Sequence, residues 1–150
     1  MELILWRHAE AADGLPDASR ALTAKGLKQA EKMAAWLKAR LPDDVHLLVS
    51  PAKRTQQTAA ALTKDFTTVK EVAAGTSVEA VLIAAGWPDH DGTVVVVGHQ
   101  PTLGAVAARL LAEQDTSWSV KKGAVWWLSV RRRNGEIQTI LRAVMAPELL

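Results

Sequence analysis

The chain contains no cysteine. That absence excludes disulfides, thiolate metal sites and a cysteine nucleophile, and it predicts a cytoplasmic, reducing setting. Tyrosine is also missing and phenylalanine occurs once, so the aromatic character rests on six tryptophans. Excess charge is scarce: 18 Lys and Arg against 16 Asp and Glu leave a formal net charge of +2, too little for a general attraction to nucleic acid. No apolar stretch approaches the roughly 18–20 residues that a membrane span needs. The first apolar run, Leu3 to Trp6, is interrupted by Glu2 on one side and Arg7-His8 on the other, which predicts neither a secretory leader nor a membrane anchor. What remains is an ordinary balance, 49 % hydrophobic and 23 % charged over 150 residues, which predicts one globular domain spanning residues 1–150.

Apolar runs and helical spacing alternate along the chain. Leu3 to Trp6 reads as a buried strand, and Glu10 to Arg20 as a loop with Asp13-Gly14, Pro16 and Asp17 as turn residues. Thr23 precedes a helix whose apolar face is predicted from Leu27, Ala30, Ala34, Leu37 and Leu41, with Pro42 and Asp43 stopping it. His46 to Ser50 is a second strand. Ser50-Pro51 reads as the start of a helix running from about Ala52 to Thr63, proline being tolerated in a first helical turn. Thr67 to Val72 is expected as a third strand, and Val78 to Ala85 as a helix ended by Gly86 and Pro88. The valine run Thr93 to Val97 is the kind of strand that parallel sheets bury. A helix is expected over Leu103 to Ala112. Ala124 to Val130 and Glu136 to Val144 flank Asn134-Gly135, a strong hairpin signal. The order predicts a three-layer α/β/α domain with a largely parallel sheet and an antiparallel C-terminal hairpin.

In such sheets ligands bind beyond the carboxyl ends of the strands, and those ends are unusually polar here. The first strand runs into Arg7-His8, and the valine strand into Gly98-His99-Gln100. The second ends at Ser50, with Arg54 in the opening turn of the helix that follows. A helix start near Ser50 would add free N–H groups at the same rim. Two histidines, two arginines and a helix start predict an anion pocket, most simply for phosphate.

Four stretches carry a resemblance: Arg7-His8-Ala9, LTAKGLKQA at 22–30, SPAKRTQQTA at 50–59, and Gly98-His99. In this order they resemble the histidine phosphatase superfamily, which also contains the cofactor-dependent phosphoglycerate mutases. The short chain and the opening RHAEA look most like the SixA-type phosphohistidine phosphatase branch. The resemblance implies a phosphoglycerate mutase-like fold and a metal-independent phosphatase without cofactor. It implies His8 as the nucleophile, Arg7, Arg54 and His99 as catalytic phosphate-binding groups, and the Gln100 backbone N–H as a further donor. Two departures stand out. Ala9 replaces the family's usual glycine, and Val72-Ala73-Ala74-Gly75-Thr76 offers no acidic residue where many relatives carry one.

A missing carboxylic acid favours N–P bonds, because an imidazole leaves readily once protonated whereas an alkoxide needs a proton donor. The connection between the third and fourth strand candidates is too short for a large lid. Both features predict a phosphohistidine protein as substrate. The alternatives are a phosphatase of small phosphorylated metabolites, with Glu10, Glu71 or Glu79 as proton donor, and a non-catalytic phosphate-binding module. Asp89-His90-Asp91-Gly92 reads as a turn rather than a metal site. Arg131-Arg132-Arg133 reads as a solvated hairpin tip or a docking patch for an acidic partner. Trp126 and Trp127 should face opposite sides of a strand, while Trp36, Trp87 and Trp118 cover the sheet or rim the site.

Overall fold

The computed structural model describes residues 1–150. Six strands form one sheet: β1 (Glu2–Arg7), β2 (His46–Val49), β3 (Thr67–Thr68), β4 (Thr93–Gly98), β5 (Val125–Arg133) and β6 (Glu136–Met145). Their order is β3-β2-β4-β1-β5-β6. β1, β2, β3 and β4 pair in parallel, whereas β5 runs antiparallel to β1 and β6 antiparallel to β5. The helices are α1 (Ala24–Lys38), α2 (Lys53–Ala60), α3 (Val78–Ala85) and α4 (Thr102–Ala112). The α/β class, the parallel core and the antiparallel hairpin therefore follow the expectation. No helix is long and apolar enough to cross a membrane.

Alternation along the central strands divides the core into two layers. Leu3, Leu5, Val94, Val96 and Leu128 face α3 and α4, meeting Val81, Leu103 and Val106. Ile4, Trp6, Val49, Val95, Val97 and Trp127 face the other side, meeting Met33 and Leu37 of α1 and Ala59 of α2. Every residue of β4 is buried, as a strand covered on both faces requires. Trp126 and Trp127 do face opposite layers. Trp127 belongs to the α1–α2 layer, and Trp126 lies against the α3–α4 layer beside Trp118, their rings 5.9 Å apart.

Four readings of the sequence differ from the structure, the first three for a packing reason. The buried face of α1 is Gly26, Ala30, Met33, Ala34 and Leu37, while Leu27 is exposed. A Cβ at Gly26 would overlap the Glu10 carbonyl oxygen, so glycine lets the first turn of α1 rest on the loop that follows His8. That contact rolls Leu27 outward. α2 begins at Lys53, because Ser50-Pro51-Ala52 stays non-helical and the Ser50 hydroxyl accepts from Ala52 N–H at 3.3 Å. β3 keeps only two residues. After it the chain tightens into a 3-10 turn over Lys70–Val72 that turns Val72 into the α3–α4 core layer. Arg131–Arg133 are the paired end of β5 rather than the hairpin tip. The tip is Asn134-Gly135, both at positive φ, as a two-residue hairpin turn demands.

Candidate active site

Strand register assembles the site. Arg7 is the Cα partner of Gly98, and Val49 of Val97. His8 and His99 therefore leave neighbouring parallel strands at one level, and Ser50 leaves the third strand one residue lower, level with Gly98. His8 N–H donates to Gly98 O at 3.1 Å and Ser50 N–H to Val97 O at 3.1 Å. The two imidazoles lie 5.4 Å apart, centroid to centroid. His8 is 8 % exposed, His99 3 % and Arg54 4 %.

His8 Nδ1 lies 2.7 Å from the Ala9 carbonyl oxygen. A carbonyl only accepts, so Nδ1 carries the proton and Nε2 keeps its lone pair. Burial pushes the His8 pKa down to about 4. The bond to Ala9 O opposes that shift, and the nearby charges of Arg54, Arg7 and Arg20 reinforce it. The Ala9 N–H is held in turn by Thr58 Oγ1 at 3.1 Å, and the same hydroxyl donates to Arg54 O at 2.7 Å. Thr58 thus fastens the segment bearing the first histidine to the helix bearing the second arginine.

His99 sits between two partners. Arg54 Nη2 lies 3.3 Å from Nδ1 and Ser50 Oγ 2.7 Å from Nε2. A guanidinium only donates, so Nδ1 accepts and Nε2–H points to Ser50 Oγ. Burial first, then the charges of Arg54 and His8, push its pKa down to about 3, against the opposing carboxylate of Asp17. Both imidazoles are neutral near pH 7.

The arginines are held at their far ends and free nearer the stem. Arg7 Nη1 donates to Val120 O at 2.9 Å. Arg54 gives Nη1 to Asp17 O at 3.0 Å and Nη2 to Asp17 Oδ2 at 3.1 Å. The Nε atoms of both are buried without a partner. An unpartnered guanidinium N–H is costly, and two of them beside two neutral histidines form a ready oxyanion site.

The expected residues Arg7, His8, Arg54 and His99 are thus brought together. Gln100 is adjacent but its side chain is otherwise employed: Nε2 donates to Trp118 O at 2.8 Å and Oε1 accepts from Gly104 N–H at 2.7 Å. It ties the start of α4 to the 117–123 segment that receives Arg7. None of the three glutamates considered as proton donors hydrogen-bonds to the cluster. Glu10 Oε2 accepts from Thr23 Oγ1 at 2.8 Å, Glu79 is paired with Arg109 at the surface, and Glu71 lies exposed on the 3-10 turn. Asp89 pairs with Arg132, and His90 packs edge-on against His46. No group of three or more His, Cys, Asp or Glu is placed to hold a metal ion. Sequence reasoning missed Asp17, which it treated as a turn residue, and the roles of Thr58 and of the Ser50 hydroxyl.

An α/β sheet whose strand ends deliver two neutral histidines and two half-free arginines offers a site that fits a phosphoryl group. The chain belongs to the histidine phosphatase superfamily, whose branch 1 model matches residues 3–76. An uncharacterized protein of Mycobacterium tuberculosis is 34 % identical over 121 residues, which cover 76 % of this chain and 75 % of that protein. Among solved structures, the protein histidine phosphatase SixA complexed with tungstate is similar over 99 % of both chains, with a TM-score of 0.83 and 24 % identity. A candidate phosphohistidine phosphatase SixA from Nakamurella multipartitia matches 97 % of this chain over 95 % of its own, with a TM-score of 0.81 and 28 % identity. Membership of the superfamily implies phosphatase activity.

Proposed function

We propose that the protein is a phosphohistidine phosphatase that acts on phosphorylated proteins through a covalent phosphohistidine on His8. The observation that carries the chemistry is the His8 ring itself: neutral, its Nδ1 proton committed to Ala9 O, and its Nε2 lone pair left to attack. In the first step Nε2 bonds to phosphorus, and the P–N bond of the substrate breaks. The electron pair stays on the departing imidazole, which takes up a proton from solvent water. In the second step water attacks phosphorus, the Nε2–P bond breaks, and orthophosphate leaves with His8 restored. Arg7 and Arg54 clamp the non-bridging oxygens through the N–H groups that lack partners. As the phosphate dianion enters, His99 takes up a proton at Nδ1, gives up its contact with Arg54 Nη2, and becomes a further donor, with the Gln100 backbone N–H beside it. Positioning and charge account for most of the acceleration in phosphoryl transfer, so the reading needs no metal or cofactor. Tungstate, the oxyanion held by SixA, is tetrahedral like phosphate.

A protein substrate is supported by the short connection between β3 and β4, which leaves no room for a large lid. Between β3 and β4 the chain forms only a 3-10 turn and the eight residues of α3, which pack into the core layer beside α4. A site without a large lid suits a phosphorylated side chain presented by a folded partner, and a chain without cysteine suits a cytoplasmic setting. Substrate profiling tests this. A phosphohistidine protein should be hydrolysed far faster than sugar phosphates or phosphoserine, with activity retained in chelator. Preference for a small phosphate ester would replace the protein-substrate reading with a metabolite phosphatase, and binding without turnover would leave a phosphate-binding module.

A further inference from the structure

Asp17 and Arg20 lie in the loop between β1 and α1 and are assigned no part in the chemistry above. The base of this loop is drawn together by Ala12 N–H to Ala21 O at 2.8 Å, and by Leu22 N–H to the Gln57 side-chain oxygen at 2.7 Å. Between these ties a 3-10 turn over Asp17–Ser19 brings Asp17 over the end of Arg54.

A guanidinium offers two forks that can each hold a pair of oxygens. One is the end-on fork of Nη1 and Nη2, and the other is the side-on fork of Nε and Nη2. Asp17 occupies the end-on fork of Arg54 with its main-chain oxygen and Oδ2. The side-on fork faces the cluster: Nε is buried without a partner, and the remaining Nη2 N–H rests on His99 Nδ1, the contact that an entering phosphate oxygen would replace. The second carboxylate oxygen of Asp17 accepts from Arg20 Nη1 at 3.0 Å, while Arg20 Nε donates to Ala12 O at 2.8 Å. Each oxygen of one carboxylate therefore serves a different arginine, and Arg20 is itself tied to the loop backbone.

We propose that Asp17 is the positioning residue for Arg54, holding its end-on edge so that its side-on edge meets the phosphate, and that Arg20 acts through Asp17 by fixing that carboxylate. The inference rests on the reading of the pocket as a phosphate site. Long side chains lose rotamer freedom when they bind. An Arg54 clamped beforehand has already lost it, and phosphate binding recovers the difference as affinity. Asp17 has a side chain 60 % exposed, so it can be changed with little disturbance of the core. The opposite role is that of an internal anion competing with phosphate for Arg54. It differs in sign: removal of the Asp17 charge would then tighten phosphate binding.

Inorganic phosphate binding to the purified full chain, measured by calorimetry, separates these outcomes, with thermal unfolding in parallel. Asp17→Asn and Arg20→Ala should each weaken phosphate binding about tenfold, since slight misplacement of a clamping group is enough to do so. Their double variant should be little weaker than Asp17→Asn alone, and kcat/KM on the phosphohistidine substrate should fall in the same order. Unchanged or tighter binding by Asp17→Asn overturns the proposal. So do fully additive effects of the two substitutions, which would place Arg20 on the phosphate directly. If Asp17→Asn fails to fold, Arg20→Ala and Arg20→Lys carry the test. Arg20→Lys cannot keep both bonds and should lie between wild type and alanine; wild-type affinity in both Arg20 variants overturns the proposal. Wild-type protein that binds no phosphate overturns instead the reading of the pocket on which it rests.

Discussion

The imidazoles of His8 and His99 stand 5.4 Å apart with their planes inclined at 56°, and neither hydrogen-bonds to the other. Parallel pairing of β1 with β4 places them there, since the strands leave the sheet in register at Arg7 and Gly98. The two rings are held differently. His8 commits Nδ1 to its own chain and keeps Nε2 open, whereas both nitrogens of His99 are engaged, by Arg54 and Ser50.

Their burial makes stability depend on pH in a defined window. Above about 6.5, the ordinary histidine value, both rings are neutral in the folded and unfolded states, and neither contributes a pH slope. Below it the unfolded chain binds protons that the folded one refuses until about pH 4 for His8 and about pH 3 for His99. The unfolded state then holds more protons, so stability falls as pH falls through this window. The urea midpoint should drop steadily from pH 7 to pH 4, and His99→Gln should flatten the drop. An unchanged slope in that variant would refute the assignment.

Thr58 links the His8 segment to α2. Thr58→Val removes the acceptor of a buried N–H at Ala9 and should cost about 1–3 kcal/mol, with a larger relative loss in kcat/KM than in thermal stability. Thr58→Ser keeps the hydroxyl and should retain most of both. Chemical denaturation and steady-state kinetics on the pair check this; equal behaviour of the two variants would show that the hydroxyl is dispensable.

Gly104 is where α4 meets the segment that receives Arg7. A Cβ there would overlap Trp118 O and lie 2.6 Å from Ser117 Oγ. Gly104→Ala should destabilise by about 1–3 kcal/mol, the usual cost of overpacking. By shifting the 117–120 segment it should also raise KM, because Val120 O anchors Arg7. Urea unfolding and KM measured together decide between this and a purely local effect, which would leave KM unchanged.

Much of the site was legible because apolar runs end on it. ELILW before Arg7-His8, and the valines before Gly98-His99, announce two buried strands that each deliver a histidine, and the topology of such sheets puts the ends together. Asp17 was not legible, because its partner Arg54 is 37 residues away and is reached only through a folded loop. The anchor of Arg7 is 113 residues distant, at Val120 O. The errors in the elements have the same origin. Leu27 fits a helical stripe, but the fit of Gly26 against the Glu10 backbone decides how α1 is rolled. Thr67 to Val72 favours a strand by composition, but the 3-10 turn that buries Val72 in the α3–α4 layer ends it early. Spacing along one element carries its period; contacts between elements set its rotation and its end.

The central claim is that phosphorus passes through His8. Brief exposure of the protein to a ³²P-labelled phosphohistidine donor, followed by quenching, measures it most directly. The account predicts an acid-labile, base-stable phosphoenzyme whose label maps to His8 and is lost, together with turnover, in His8→Ala. Normal turnover by His8→Ala, or label on another residue, would contradict it.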